Sequence, residues 1–313
     1  MMQIEWIFRG VLCASWLCPS LGVAASGFAL MGGGQDQDAA FRWMCDQAGG
    51  GNFVVLRASG TDAYNSYIQK LCPAVSSVET LIVASRQQAG QPSVAEKIRA
   101  AAAVFIAGGS QDNYVNFWQG TPVEDAINSA IGKGVPVGGT SAGLAVLGEY
   151  SFAALKDTVK SSEALANPFD EKVTITRDFL HVPLLDGKIT DSHFVARDRM
   201  GRLIVFLARI AGDGRTPAPF GIGIDEKTAV LVEADGSARV TGVGAAYFLR
   251  TPGSPEQCVP NAPLTYRNIS VYRVTAAAGT FNLKSWTGSG GLEYKLSAEN
   301  GVLKSTLPGD RIY

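Results

Sequence analysis

Histidine is nearly absent from this chain: His181 and His193 are the only two among 313 residues. So thin a supply argues against a zinc site, and no Cys-x-x-Cys pair is present to make good the deficit. Charge of either sign is also lacking in excess. Lys and Arg number 27 against 28 Asp and Glu, so the chain has no basic surplus with which to neutralise nucleic-acid phosphates. No G-x-x-x-x-G-K-[ST] run occurs, which excludes a P-loop nucleotide enzyme, and Gln37 breaks the only glycine run that approaches a dinucleotide fingerprint. Metal, cofactor and nucleic acid therefore drop out of the expected partners.

Long apolar runs are missing as well, apart from one at the N-terminus. Arg9 precedes the run from Gly10 to Leu21, and Val23-Ala24-Ala25 then offers small residues for cleavage. Residues 1–25 read as a secretory signal peptide, and no later stretch is long enough to cross a membrane. The expectation is a secreted or periplasmic protein. Cleavage would remove Cys13 and Cys18 and leave Cys45, Cys72 and Cys258. Three thiols allow one disulfide and one odd cysteine, and spacing does not choose the pair.

What the chain does contain is enough apolar residue, 46% hydrophobic against 18% charged, to build a substantial core. The runs 28–31, 53–56, 81–83 and 104–107 are continuously apolar, as strands buried on both faces should be. Candidate helices follow at 36–48, 62–71, 93–101 and 122–132. Such alternation gives an α/β fold with a parallel sheet covered on both faces, and ligands collect at the carboxyl ends of its strands. Further on, 188–190 reads as a strand, Leu203, Phe206, Leu207 and Ile210 mark a helix face, and 218–232 and 236–249 read as sheet. After Thr251-Pro252-Gly253 the composition turns to short β-like runs. The expected organisation is a signal peptide over 1–25, a catalytic domain over 26–250 and a β-rich extension over 251–313.

Gly139-Thr140-Ser141-Ala142-Gly143 has the spacing of a nucleophile elbow, G-x-S-x-G, between an apolar run and a helix-compatible one. Ser141 is the candidate nucleophile, and the Ala142 N–H points where an oxyanion would form. A serine needs an adjacent base. His181 stands in an apolar run, as a core histidine would, whereas His193 stands in a polar segment after a strand and is preferred. The orienting acid is Asp225 or Glu226, which end the run Gly221 to Ile224 and point to opposite faces, with Asp191 as a competitor. Arg197, Arg199 and Arg202 suit recognition of carboxylates, against the alternative of a solvated helix start paired with Asp198.

Four motifs together carry a resemblance: Gly108-Gly109-Ser110-Gln111, the elbow, Asp191-x-His193-Phe194 followed by Arg197-x-Arg199-x-x-Arg202, and Gly223-Ile224-Asp225-Glu226. Between about Ala29 and Leu249 the chain resembles the cyanophycinase branch of the peptidase E-like serine peptidases, whose core is similar to class I glutamine amidotransferases. The resemblance implies a flavodoxin-like, parallel-sheet three-layer sandwich, no metal, and a homodimer. It implies Ser141, His193 and Glu226 as nucleophile, base and acid, with Ala142 and Gly109 at the oxyanion hole. It further implies Gln111, Asp191, Ser192, Arg197, Arg199 and Arg202 in the substrate pocket. The expected reaction is hydrolysis of cyanophycin, an aspartate backbone bearing arginine on each side-chain carboxyl, to β-Asp-Arg dipeptides. Ser192 stands where similar cyanophycinases often carry Gln, a departure that shortens the side chain offered to the polymer. Two other readings stand beside this one: an aspartyl or isoaspartyl dipeptidase acting on short acidic peptides, and an inactive binding module on the same scaffold. Serine rather than cysteine in the elbow argues against a glutamine amidotransferase.

Overall fold

The computed structural model describes residues 27–313, so the expected signal peptide, 1–25, lies outside the described residues. Two sheets organise the chain. In the first, strands Ser77–Ile82, Asn52–Arg57, Ala103–Ile106, Val137–Thr140 and Phe28–Met31 lie side by side and parallel. Thr228–Val232 then adds antiparallel to Phe28–Met31, followed by Ser237–Gly242, Thr280–Asn282 and Thr287–Ser289. The second sheet runs Val302–Ser305, Leu292–Glu299, Tyr266–Thr275, Ala245–Arg250, Phe220–Ile224, Lys188–Asp191, Tyr150–Phe152 and Ile175–Arg177. Only its members Tyr150–Phe152, Lys188–Asp191 and Phe220–Ile224 pair in parallel.

Burial follows position in the sheet. Phe28–Met31, Ala103–Ile106 and Val137–Thr140 are buried at every residue, as central parallel strands must be, whereas Leu292–Glu299 alternates over much of its length. Ser77–Ile82 starts four residues before the expected run at 81, because it is an edge strand whose Ser77 and Glu79 need not be apolar. A helix over Gln111–Trp118, unexpected from the sequence, starts inside the polar loop that follows Ala103–Ile106. One face of the first sheet packs against the helices Asp38–Ala48 and Tyr64–Leu71. Its other face meets Pro92–Arg99, Pro122–Gly132 and part of the second sheet. The second sheet's far side holds the helix Met200–Gly212. Phe248 of one sheet stacks on Phe281 of the other, with ring centroids 3.9 Å apart.

Segments after residue 250 lengthen both sheets: Tyr266–Thr275 pairs with Ala245–Arg250, and Thr280–Asn282 with Ser237–Gly242. Cys45 and Cys72 form a disulfide across a separation of 27 residues, which leaves Cys258 as the free thiol among the described residues. Closing a loop of that length stabilises the fold by about 3.5 kcal/mol in the chain-entropy account. Burial pushes the Cys258 thiol up to about 11, so it is no thiolate near neutral pH. Among the described residues, no helix is long and apolar enough to cross a membrane.

Candidate active site

The strand Val137–Thr140 ends at Ser141, whose φ of 54° and ψ of −113° lie outside the ordinary regions for a residue with a side chain. The helix Ala142–Ala145 begins at once, so the chain reverses direction within one residue. Both elbow glycines are required by close approach. A Cβ at Gly139 would meet the Gly143 carbonyl at 2.5 Å, and one at Gly143 would meet Ile106 O at 2.0 Å. The Ser141 N–H donates to Met31 O at 3.2 Å, and the turn lifts Oγ into a cleft at the carboxyl ends of the parallel strands.

His193 arrives from the second sheet, just beyond Lys188–Asp191. Its N–H donates to Gly32 O at 2.7 Å, which pins the histidine backbone to the end of the first strand. Nε2 then lies 2.7 Å from Ser141 Oγ, and Nδ1 lies 2.6 Å from Glu226 Oε1. A carboxylate on Nδ1 fixes the tautomer with a free Nε2 lone pair facing the serine. Burial lowers the His193 pKa below its ordinary 6.5, opposed by the Glu226 hydrogen bond and assisted by Arg197 and Arg199. The imidazole is therefore neutral near pH 7 and able to accept a proton. The same hydrogen bond holds Glu226 below the usual carboxylate range.

The cleft around Ser141 has a volume of about 320 Å³. Arg57 and Arg197 supply positive charge to its wall, and Asp36, Tyr64 and Thr140 supply polar atoms. Tyr64 Oη donates to Asp36 Oδ2 at 2.5 Å. Burial raises the Asp36 pKa, although Tyr64 and Thr140 pull it the other way. Tyr114 Oη donates to Ala107 O at 2.8 Å and lies 3.2 Å from Gly108 O, which fixes the backbone at the mouth of the cleft. Among the described residues, no group of three or more His, Cys, Asp or Glu side chains is gathered to hold a metal ion. The hollow of about 280 Å³ lined by Tyr272, Phe281 and Trp286 lies apart from Ser141 and His193.

Residues 28–240 match the family model of peptidase family S51. The chain belongs to peptidase family S51. A cyanophycinase of Trichormus variabilis is 30% identical over 200 residues, which cover 62% of this chain and 62% of that protein. A cyanophycinase of Synechococcus elongatus is 28% identical over 235 residues, covering 75% of this chain and 65% of the relative. The matched chain thus spans less than two thirds of each relative's length. The crystal structure of a peptidase from an acI-B1 actinobacterium superposes with a TM-score of 0.57 at 16% identity, over 83% of this chain and 98% of that one, and so shares the fold. Ser141, His193 and Glu226 fall inside the S51 match, and everything after residue 240 falls outside it.

Within this S51 chain several residues expected in the pocket are elsewhere. Asp191 is 2% exposed and Arg202 is 1% exposed. Arg202 grips Asp191 bidentately, Nε to Oδ2 at 2.8 Å and Nη2 to Oδ1 at 2.6 Å. Arg199 is buried too, with Nη1 donating to Ser192 O at 2.9 Å and lying 3.4 Å from both Asp191 Oδ1 and Ser192 Oγ. The expectation that Asp191, Ser192, Arg199 and Arg202 line the pocket is corrected. A buried charge must be paired, and these side chains pair with each other beneath the His193 loop. Arg197 alone of the three arginines is exposed in the cleft. Gln111 begins the helix Gln111–Trp118, half-buried and away from the cleft wall. Gly108, rather than Gly109, lines the cleft. Asp225 accepts from Val195 N at 3.1 Å and Ala245 N at 2.9 Å and does not meet the imidazole. His181, read as a core histidine, is exposed on the surface.

Sequence reasoning missed Arg57, Asp36 and Tyr64. Arg57 ends the strand Asn52–Arg57, and a search of every strand's carboxyl end would have found it. Asp36 was visible in the Gly32-Gly33-Gly34-Gln35-Asp36 turn, but its pairing with Tyr64 across 28 residues had no local signal.

Proposed function

We propose that this chain is an exported serine peptidase that hydrolyses cyanophycin to β-Asp-Arg dipeptides through an acyl-enzyme on Ser141. The observation that carries the reading is the continuous hydrogen-bonded line from Ser141 Oγ through His193 to Glu226. In the first half-reaction Oγ attacks the scissile carbonyl while Nε2 takes its proton. The Ala142 N–H receives the developing oxyanion, and the protonated imidazole returns its proton to the departing amine. Water, deprotonated by the same nitrogen, then cleaves the ester and restores Ser141. Glu226 stabilises the imidazolium formed in both halves and stays ionised throughout.

Substrate choice rests on the cleft wall. Arg57 and Arg197 suit an aspartyl carboxylate, and Asp36 with the ring of Tyr64 suits a guanidinium, so both charges of a β-Asp-Arg unit have counterparts. Export is supported by the leader-like segment 1–25 and by the Cys45–Cys72 disulfide, which persists in oxidising compartments. The modest cleft, about 320 Å³, favours a second reading, an aspartyl or isoaspartyl dipeptidase acting on short acidic peptides.

The test is mass spectrometry of soluble products after the mature protein, or its Ser141→Ala variant, is incubated with insoluble cyanophycin or with isoaspartyl dipeptides. Release of β-Asp-Arg by the wild type alone supports the polymer reading. Cleavage of the dipeptides only would transfer the function to the second reading, and equal product from both proteins would remove Ser141 from the chemistry.

A further inference from the structure

The loop that carries His193 is held from a distance. Between Lys188–Asp191 and the helix Met200–Gly212, two residues with side chains, His193 and Asp198, each have a φ of 47°. Such residues stay in the left-handed region only where their surroundings hold them there. At the near end the His193 N–H bonds Gly32 O at 2.7 Å, and within the loop Arg199 N donates to Phe194 O at 2.9 Å. At the far end the helix begins with no side-chain cap from Arg199, so its first N–H groups need outside acceptors.

Two hydroxyls supply them. Ser161 Oγ accepts from Arg202 N at 3.1 Å and donates to Asp198 O. Tyr313 Oη accepts from Met200 N at 3.0 Å and donates to Asp198 Oδ1 at 3.0 Å. Only a group that both accepts and donates can bridge an amide and a carboxylate in this way, and phenylalanine could do neither. The Tyr313 ring also meets Phe194, the buried neighbour of His193, edge to face at 6.0 Å, and Tyr247 at 5.8 Å. The segment that delivers Tyr313 is itself anchored. Tyr294 Oη donates to Ile312 O at 2.8 Å, and Asp310 accepts from Ser305 N at 2.5 Å.

We propose that Tyr313 is a positioning residue for His193, so that segment 306–313, outside the S51 match, latches the loop bearing the general base. The inference rests on the reading of His193 as that base. Tyr313 touches no reacting atom in the cleft. It acts through Asp198, Met200 and Phe194 on the direction in which the imidazole points.

The experiment compares wild type with Tyr313→Phe, which keeps the ring, and Tyr313→Ala, which removes it. Three readouts are taken: kcat and KM on the cleaved substrate, the pH profile, and the downfield proton resonance of the His193 Nδ1–H. With two histidines in the chain, a His181→Ala background assigns that resonance without ambiguity. The latch predicts that Tyr313→Phe lowers kcat by about tenfold, with KM nearly unchanged, as displacement of a catalytic group does. It also predicts a broadened Nδ1–H resonance in a protein that melts cooperatively. An unchanged kcat and a sharp wild-type resonance in folded Tyr313→Phe overturn the proposal, whether or not Tyr313→Ala folds. Should wild type and Ser141→Ala both be inert, the peptidase reading fails separately, and the proton resonance of Tyr313→Phe alone decides the latch.

Discussion

The imidazole of His193 stands directly on the backbone of Gly33. A Cβ at position 33 would lie 2.5 Å from Nε2 and 2.6 Å from Cε1, the edge that faces Ser141, and Gly33 has a φ of +91°. Gly33→Ala should therefore push the ring off the serine as well as strain the turn. The expected outcome is a fall in kcat of about a hundredfold, with a stability loss of roughly 1–2 kcal/mol from the left-handed backbone. Steady-state kinetics and urea denaturation measure the two separately, and full turnover by a folded variant would show that the ring has room to spare.

The pH profile should report the environment of His193. The proposed role as general base requires a neutral imidazole, so activity is expected to be lost as pH falls through its pKa, and burial with Arg197 and Arg199 nearby places that limb below 6.5. Arg197→Gln removes a positive charge that disfavours the imidazolium. Its acid limb in kcat/KM should move to higher pH, toward the ordinary histidine value. A shift the other way, or none, would separate Arg197 from the imidazole.

How much of this site was legible in the sequence depended on how local each cause is. The elbow was readable because Gly139, Ser141 and Gly143 satisfy one another within five residues, and the preference for His193 over His181 came from a polar neighbourhood that the fold keeps beside the cleft. The central strands were readable from continuous apolar runs, whereas the start of Ser77–Ile82 was missed because an edge strand carries polar Ser77 and Glu79 ahead of its apolar end. Asp191, Arg199 and Arg202 were misread for a different reason. A sequence displays the charge of each side chain but not its partner, and here the partners are one another under a packed loop. The tie between Asp198 and Tyr313, 115 residues apart, lies beyond any local pattern.

The Asp191–Arg202 pair should behave as architecture. Removing one member leaves a buried charge unpaired, so Arg202→Ala should cost about 3–5 kcal/mol of stability. It should also reduce turnover on acidic and neutral substrates by similar factors. Arg197→Ala should do the reverse, weakening acidic substrates selectively while leaving the melting temperature nearly unchanged. Thermal denaturation alongside KM values on a matched pair of substrates would distinguish the two arginines. Selective loss of acidic substrates in a stable Arg202→Ala protein would return Arg202 to the pocket.

Asp225 and Glu226 are adjacent yet should separate cleanly by experiment. Glu226 is half-exposed and addresses His193 Nδ1 at 2.6 Å, so Glu226→Gln removes the charge that stabilises the imidazolium and permits the wrong tautomer. If Glu226 is the acid of the proposed triad, the expected effect is a fall in kcat of about ten-thousandfold, on the order of what loss of a triad carboxylate costs, with melting temperature near wild type. The acid limb should shift to lower pH, because the hydrogen bond that favours the charged imidazole is weakened. Asp225 instead holds Val195 N and Ala245 N from a half-buried position, so Asp225→Asn gives up charge-assisted bonds to two backbone amides. That variant should lose roughly 1–3 kcal/mol of stability and retain most of its turnover at temperatures where it stays folded. Calorimetry paired with kcat on both variants measures the contrast, and a reversed pattern would move the acid of the triad from Glu226 to Asp225.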